Sequence, residues 1–122
     1  MANILLVDDN PGLLELQAEF LRSAGHNVVT ASDGMVALNK FREGNFDVVV
    51  TDLVMPEKEG IEVILELQKS QATTKIIAVS GGGRGNAQNY LTMAKQLGAF
   101  ATLAKPFTGA ELLRTVEQAL QG

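Results

Sequence analysis

The sequence predicts an α/β protein: a doubly wound, five-stranded parallel sheet of order 2-1-3-4-5 with helices on both faces. Three observations carry this. Apolar runs of strand length alternate with segments of helical period in five successive units joined by short connections, the pattern of a parallel sheet covered by helices. The first, third and fourth runs are continuous in Ile, Leu and Val, as strands buried on both faces require. The second and fifth runs carry Thr30, Thr102 and several alanines. That marks them as edges, and edges at those two places fit the order 2-1-3-4-5. Five units are too few for a closed eight-unit barrel.

Each element has its local reason. Ile4-Leu5-Leu6-Val7 reads as the first strand. Asn10 and Pro11 follow, a good N-cap and a good first helical residue. Leu13, Leu16, Phe20, Leu21 and Ala24 then recur near a 3.6 period, and Gly25 stops the helix. Val28 to Ala31 reads as the second strand. Ser32-Asp33-Gly34 opens a second helix that runs to about Arg42, with Gly44 behind it. Phe46 to Thr51 is the third strand. Pro56 and Gly60 mark a loop before a helix carrying Ile61, Ile64, Leu65 and Leu67. Lys75 to Val79 is the fourth strand. A glycine-rich turn, Gly81 to Gly85, leads to a fourth helix with Tyr90, Leu91, Ala94 and Leu97. Phe100 to Ala104 is the fifth strand, and a fifth helix carries Leu112, Leu113, Val116, Ala119 and Leu120.

Composition narrows the function. The 122 residues form one domain, 1–122, with no internal boundary or low-complexity segment. A net charge of −4 argues against direct nucleic-acid binding through a basic footprint. The absence of cysteine removes disulfides, thiol catalysis and cysteine metal sites, and one histidine cannot build a histidine cage. No apolar run reaches the ~18–20 residues of a membrane span, and no signal peptide is visible. The expectation is a cytoplasmic protein without membrane insertion.

In open sheets of this kind ligands sit beyond the carboxyl ends of the strands, where strand order reverses. The first strand delivers Asp8 and Asp9 there, the third Asp52, the fourth Ser80, and the fifth Lys105-Pro106. Any one of these alone reads as turn or surface chemistry. Together they put three carboxylates, a hydroxyl and an ammonium at adjacent strand ends. Close carboxylate pairs repel by about 1–4 kcal/mol, depending on the local dielectric. A hard divalent cation with oxygen ligands relieves that cost, and Mg²⁺ suits one or two carboxylates plus phosphate oxygens. Three Asp and one Lys sum to −2, which one Mg²⁺ neutralises. The hydroxyl and ammonium then have a use if a phosphoryl group binds beside the metal.

With these motifs in hand, the chain resembles a receiver domain of two-component response regulators over essentially its whole length, stand-alone chemotaxis regulators included. The matching segments are Leu6-Val7-Asp8-Asp9, Asp52-Leu53-Val54-Met55-Pro56 with Gly60, Ser80 after an apolar strand, and Lys105-Pro106-Phe107. The resemblance implies a flavodoxin-like fold and a phosphorylation-dependent switch. It implies Asp52 as phospho-acceptor and Asp8 and Asp9 as the pair holding Mg²⁺, helped by Asp52 and the Val54 carbonyl. It implies Ser80 as the switch hydroxyl and Lys105 as the phosphate-pairing lysine, with a cis bond before Pro106. The implied donor is a histidine kinase or a histidine phosphotransfer protein. It implies a domain that catalyses its own phosphorylation and autodephosphorylation without being an enzyme acting on another substrate. Output is expected through the face made by the fourth helix, fifth strand and fifth helix. The chain is either a stand-alone regulator or the first domain of a longer one.

Departures from the family pattern concern the route of the signal. Thr102 stands where an aromatic residue is common, and Phe100 shares its strand parity. Glu57-Lys58-Glu59 and the run Gly81-Gly82-Gly83-Arg84-Gly85 also differ from the usual sequence. Three other readings remain. An aspartyl-phosphate phosphatase of the haloacid-dehalogenase type needs an Asp two residues after its nucleophile, where this chain has Val54. A nucleotide-binding loop needs Gly-Lys-Ser/Thr or Gly-x-Gly-x-x-Gly, and Asn86 breaks the latter. A scaffold that no longer accepts phosphate would not need all five key residues.

Overall fold

The computed structural model describes residues 2–52, 60–69, 73–80, 92, 95–96 and 98–122. Five strands, β1 (Asn3–Val7), β2 (Asn27–Ala31), β3 (Val48–Asp52), β4 (Lys75–Ser80) and β5 (Ala101–Ala104), pair in parallel in the order β2-β1-β3-β4-β5. The order is the one expected from sequence, and so are the edges. β1, β3 and β4 are buried almost throughout, whereas β2 alternates and β5 is half-buried.

Four described helices cover the sheet: α1 (Pro11–Ser23), α2 (Gly34–Glu43), α3 (Gly60–Lys69) and α4 (Gly109–Gln121). The helix expected around Tyr90, Leu91, Ala94 and Leu97 lies outside the described residues, as does the Gly81 to Gly85 turn. α4 is therefore the fifth helix of the sequence reading. Asn10 caps α1 by accepting the Leu13 N–H at 3.1 Å, with Pro11 behind it. Asp33 caps α2 through Val36 N–H at 2.9 Å. Thr108 and Glu111 cap α4 reciprocally, at 3.0 and 2.8 Å. Gly25 follows α1 at φ 97°, a conformation that costs a side-chain-bearing residue more than glycine.

The pleat divides the core in two. Leu5, Val7, Val49 and Ala78 point into one cluster with Leu38 of α2 and Val63, Ile64 and Leu67 of α3. Ile4, Leu6, Val48, Val50, Ile77 and Val79 point into the other, with Leu14, Ala18 and Leu21 of α1 and Leu112, Val116 and Ala119 of α4. Alternate strand residues thus face opposite helix layers.

The structure sorts the apolar residues of α1 and corrects the start of β3. The buried face of α1 is Leu14, Gln17, Ala18 and Leu21; Leu16 and Phe20 are 66% and 42% exposed and Ala24 is exposed too. The helix carries two apolar stripes. The sheet takes the one at i, i+4, i+7, while the second turns towards α4, where Phe20 lies so close to Gly109 that a Cβ there would sit 2.8 Å from its ring. β3 begins at Val48, not Phe46. Phe46 leaves the strand line to stack on Phe41, ring centroids 6.3 Å apart, and the Asp47 carboxylate accepts the Asn3 N–H at 2.8 Å. No described helix is long and apolar enough to cross a membrane.

Candidate functional site

The sheet register brings the strand ends together. Val7 pairs with Thr51, so Asp8 and Asp52 leave neighbouring strands at the same level. Asp52 pairs with Val79 and Ser80 with Ala104, which sets Ser80 and Lys105 one step further along. The Lys105 N–H donates to the Ser80 carbonyl at 2.9 Å.

Asp8, Asp9 and Asp52 each present a carboxylate oxygen within 4.8 Å of the other two. Asp8 and Asp52 are buried, at 2% and 5% exposure, and Asp9 is exposed. Lys105 Nζ donates to Asp8 Oδ2 at 2.8 Å and to Asp52 Oδ2 at 2.9 Å. Asp8 Oδ1 accepts the Asn10 N–H at 2.9 Å. Both Asp8 oxygens thus have donors, and a cation entering the cluster competes with the ammonium. Ser80 is buried at the end of β4, and the Lys105–Pro106 bond is cis. Four of the sequence-predicted residues, Asp8, Asp9, Asp52 and Lys105, meet in one cluster, and Ser80 ends the adjoining strand. Val54 and the Met55-Pro56 segment lie outside the described residues.

Partial burial pulls the Lys105 pKa down, but the hydrogen bonds to Asp8 and Asp52, with the charges of both carboxylates, outweigh it. The pKa is held above the ordinary lysine value of 10.5. The ammonium is therefore fully charged at neutral pH. The donor set is three carboxylates, hard oxygen ligands, and it fits Mg²⁺ better than a transition metal.

The cluster keeps a net −2 after Lys105 is counted, so the metal-free protein carries a repulsion that the fold does not need. Asp9 lies on the solvent side, where screening limits the cost. Asp9→Asn should stabilise the metal-free protein by about 1 kcal/mol, which raises Tm by roughly 3–6 °C for a domain of this size. Mg²⁺ should raise the wild-type Tm and do much less for the variant. Melting curves in EDTA and in Mg²⁺ test this; a lower Tm for Asp9→Asn in EDTA contradicts a shared site.

Sequence reasoning passed over two contacts. The Asn10 backbone N–H holds Asp8, a consequence of Asn10 starting α1. The buried Thr51 hydroxyl donates to the Asp52 carbonyl at 3.1 Å; a polar residue ending a valine strand was the available signal. Phe100, the alternative to the missing aromatic at Thr102, stands away from the site. Its N–H bonds the Ile76 carbonyl near the start of β4, and Lys75 Nζ lies 5.2 Å over its ring.

The sequence matches a known family. The family model described as response regulator receiver domain matches residues 4–117, and the chain belongs to that family. It is 36% identical over 120 residues to the transcriptional regulatory protein GlrR of Escherichia coli, aligned over 98% of this chain and 26% of that protein. The chain thus spans about a quarter of that relative's length. Among solved structures, a response regulator receiver domain protein from Clostridium thermocellum superposes with a TM-score of 0.90 at 32% identity, covering 99% of this chain and 95% of the other. The response regulator TrrA of Thermotoga maritima, solved in complex with Mg²⁺-BeF, gives a TM-score of 0.85 at 35% identity, covering 98% of this chain and 100% of that one.

Proposed function

We propose that residues 1–122 act as one phosphorylation-dependent switch in the cytoplasm, accepting a phosphoryl group on Asp52 from a histidine kinase or a histidine phosphotransfer protein. The observation that carries the reading is the Asp8, Asp9, Asp52 cluster with Lys105 Nζ bridging two of its members. A family likeness alone would be compatible with a scaffold that had lost the chemistry; these contacts favour a working acceptor.

Asp52 supplies the nucleophile. A carboxylate oxygen forms an O–P bond as the P–N bond of the donor phosphohistidine breaks and its electron pair returns to the imidazole. Lys105 transfers its ammonium from the carboxylates to the phosphoryl oxygens, matching charge that accumulates there. Asp8, Asp9 and Asp52, with the Val54 carbonyl, would hold Mg²⁺, which when bound neutralises phosphoryl charge. Ser80 then has a phosphoryl oxygen to bond, which couples the acceptor to β4 and the segment after it. Water attack on the acyl phosphate returns the domain to its resting state. Output would pass to a downstream protein through the face built from the fourth predicted helix, β5 and α4.

The test is phosphorylation by acetyl phosphate, read by intact mass. One phosphoryl group should be gained in Mg²⁺ and essentially none in EDTA. Equal labelling in EDTA would rule out the metal-assisted reading.

A further inference from the structure

We infer that Arg22 and Lys40 guard the free edge of the sheet: each occupies an outward carbonyl of β2, and together they close the surface on which a second copy of this chain would pair its own β2.

β2 ends the sheet, with β1 on one side and, among the described residues, no strand on the other. Such an edge is a template for another chain unless something blunts it. Successive strand residues send their backbone groups to opposite sides. The Asn27 N–H donates to the Ala2 carbonyl at 2.9 Å, and the Ala31 carbonyl accepts the Asp8 N–H at 3.2 Å. Asn27, Val29 and Ala31 therefore face β1, and Val28 and Thr30 turn their N–H and C=O outward.

The strand gives itself little protection. Asn27-Val28-Val29-Thr30-Ala31 contains neither charge nor proline, the usual guards of an edge, and Val and Thr favour pairing. Val29 is 40% exposed. Two copies related by a twofold axis would pair antiparallel about Val29, with Val28 of each opposite Thr30 of the other and the two Val29 side chains in contact.

Both carbonyls that this pairing needs are already taken. Arg22 Nη2 donates to the Val28 carbonyl at 3.0 Å, and Lys40 Nζ to the Thr30 carbonyl at 2.5 Å. α1 and α2 lie in opposite layers, so the edge is clasped from both faces. Arg22 is steadied by Glu15, 3.3 Å away. Both cations stand in the last turns of their helices, where the helix dipole favours positive charge. The dipole does not explain why both side chains leave their helices for the two outward carbonyls of one strand. An incoming strand would have to exchange two charge-assisted hydrogen bonds for weaker amide ones.

The experiment is sedimentation velocity at matched concentrations, with residue-resolved amide exchange and melting curves in parallel. Arg22→Ala with Lys40→Ala should self-associate about tenfold or more tightly than wild type, and the Val28 and Thr30 amides should exchange more slowly as concentration rises. The double substitution moves the net charge from −4 to −6, two cations being lost, which by itself opposes association. Adding Thr30→Pro removes an outward N–H without touching the β1 ladder and should restore wild-type behaviour. A folded double variant no more associated than wild type overturns the inference. So does association that Thr30→Pro leaves in place, or that leaves the Val28 and Thr30 amides unprotected, because it runs through another face. Should the double variant not fold, Arg22→Ala and Lys40→Ala each free one carbonyl, and no added association in either rejects the guard. Should Thr30→Pro not fold, Val29→Lys puts a charge on the strand itself, and association that survives it rejects the guard as well.

Discussion

Asp52→Asn should lose phosphorylation by at least about a hundredfold while the protein stays folded. The substitution keeps the side-chain shape and removes the proposed nucleophile, because an amide oxygen does not form a stable acyl phosphate. The fold should tolerate it. Asp52 is the last residue of β3, and its loss of charge leaves Lys105 bonded to Asp8 at 2.8 Å. The cluster falls from −2 to −1, so the metal-free variant should melt no lower than wild type by more than a few degrees. Intact mass after acetyl phosphate and Mg²⁺ reads the effect. An acid-stable, base-labile phosphoryl group gained by Asp52→Asn to the wild-type extent would place the acceptor elsewhere.

Lys105→Ala should separate three properties that the resting contacts combine. Two buried carboxylates lose their shared cation, and breaking a buried pair from one side is costly. Lys105 keeps a fifth of its side chain in solvent, so the loss should be about 1–3 kcal/mol in EDTA. Mg²⁺ affinity should be equal or higher, because the ammonium no longer competes at Asp8 and Asp52. Phosphorylation should slow by about 10²–10³-fold, the typical effect of removing one charge-stabilising donor from a transfer site. The pH dependence has a definite sign. Since the folded-state pKa lies above 10.5, the ion-pair contribution is complete below the unfolded pKa and fades only as pH rises through the higher folded value. The stability difference between wild type and Lys105→Ala in EDTA should therefore stay flat from neutral pH to about pH 10 and shrink above it. Abolished Mg²⁺ binding in Lys105→Ala would contradict the whole set.

The sheet was legible because it depends on composition. Val48-Val49-Val50 and Ile76-Ile77 can only be central strands, and Thr30 and Thr102 sit where the sheet has edges. The grouping of the candidate site residues was legible because strand ends carry them: once the order is known, Asp8, Asp52, Ser80 and Lys105 must lie at one end. Helix faces were less legible. α1 has two apolar stripes, and the 3.6 period cannot say which meets the sheet and which turns to α4, so the places of Leu16 and Phe20 come only from the structure. The start of β3 was missed because Phe46 suits a strand equally well, and its stacking on Phe41 depends on where α2 ends. The Lys105 bridge was visible only as proximity; that it binds Asp8 and Asp52, and not Asp9, comes from side-chain geometry.

The most direct test is chemical trapping of the phosphorylated residue. Wild-type protein is phosphorylated with acetyl phosphate and Mg²⁺, then treated with borohydride, which reduces an aspartyl phosphate to homoserine, and the peptides are sequenced by mass spectrometry. Homoserine at position 52 alone, absent when EDTA replaces Mg²⁺, is the predicted result. Homoserine at position 8 or 9, or a phosphorylated protein yielding none, would contradict the assignment of Asp52 as the acceptor.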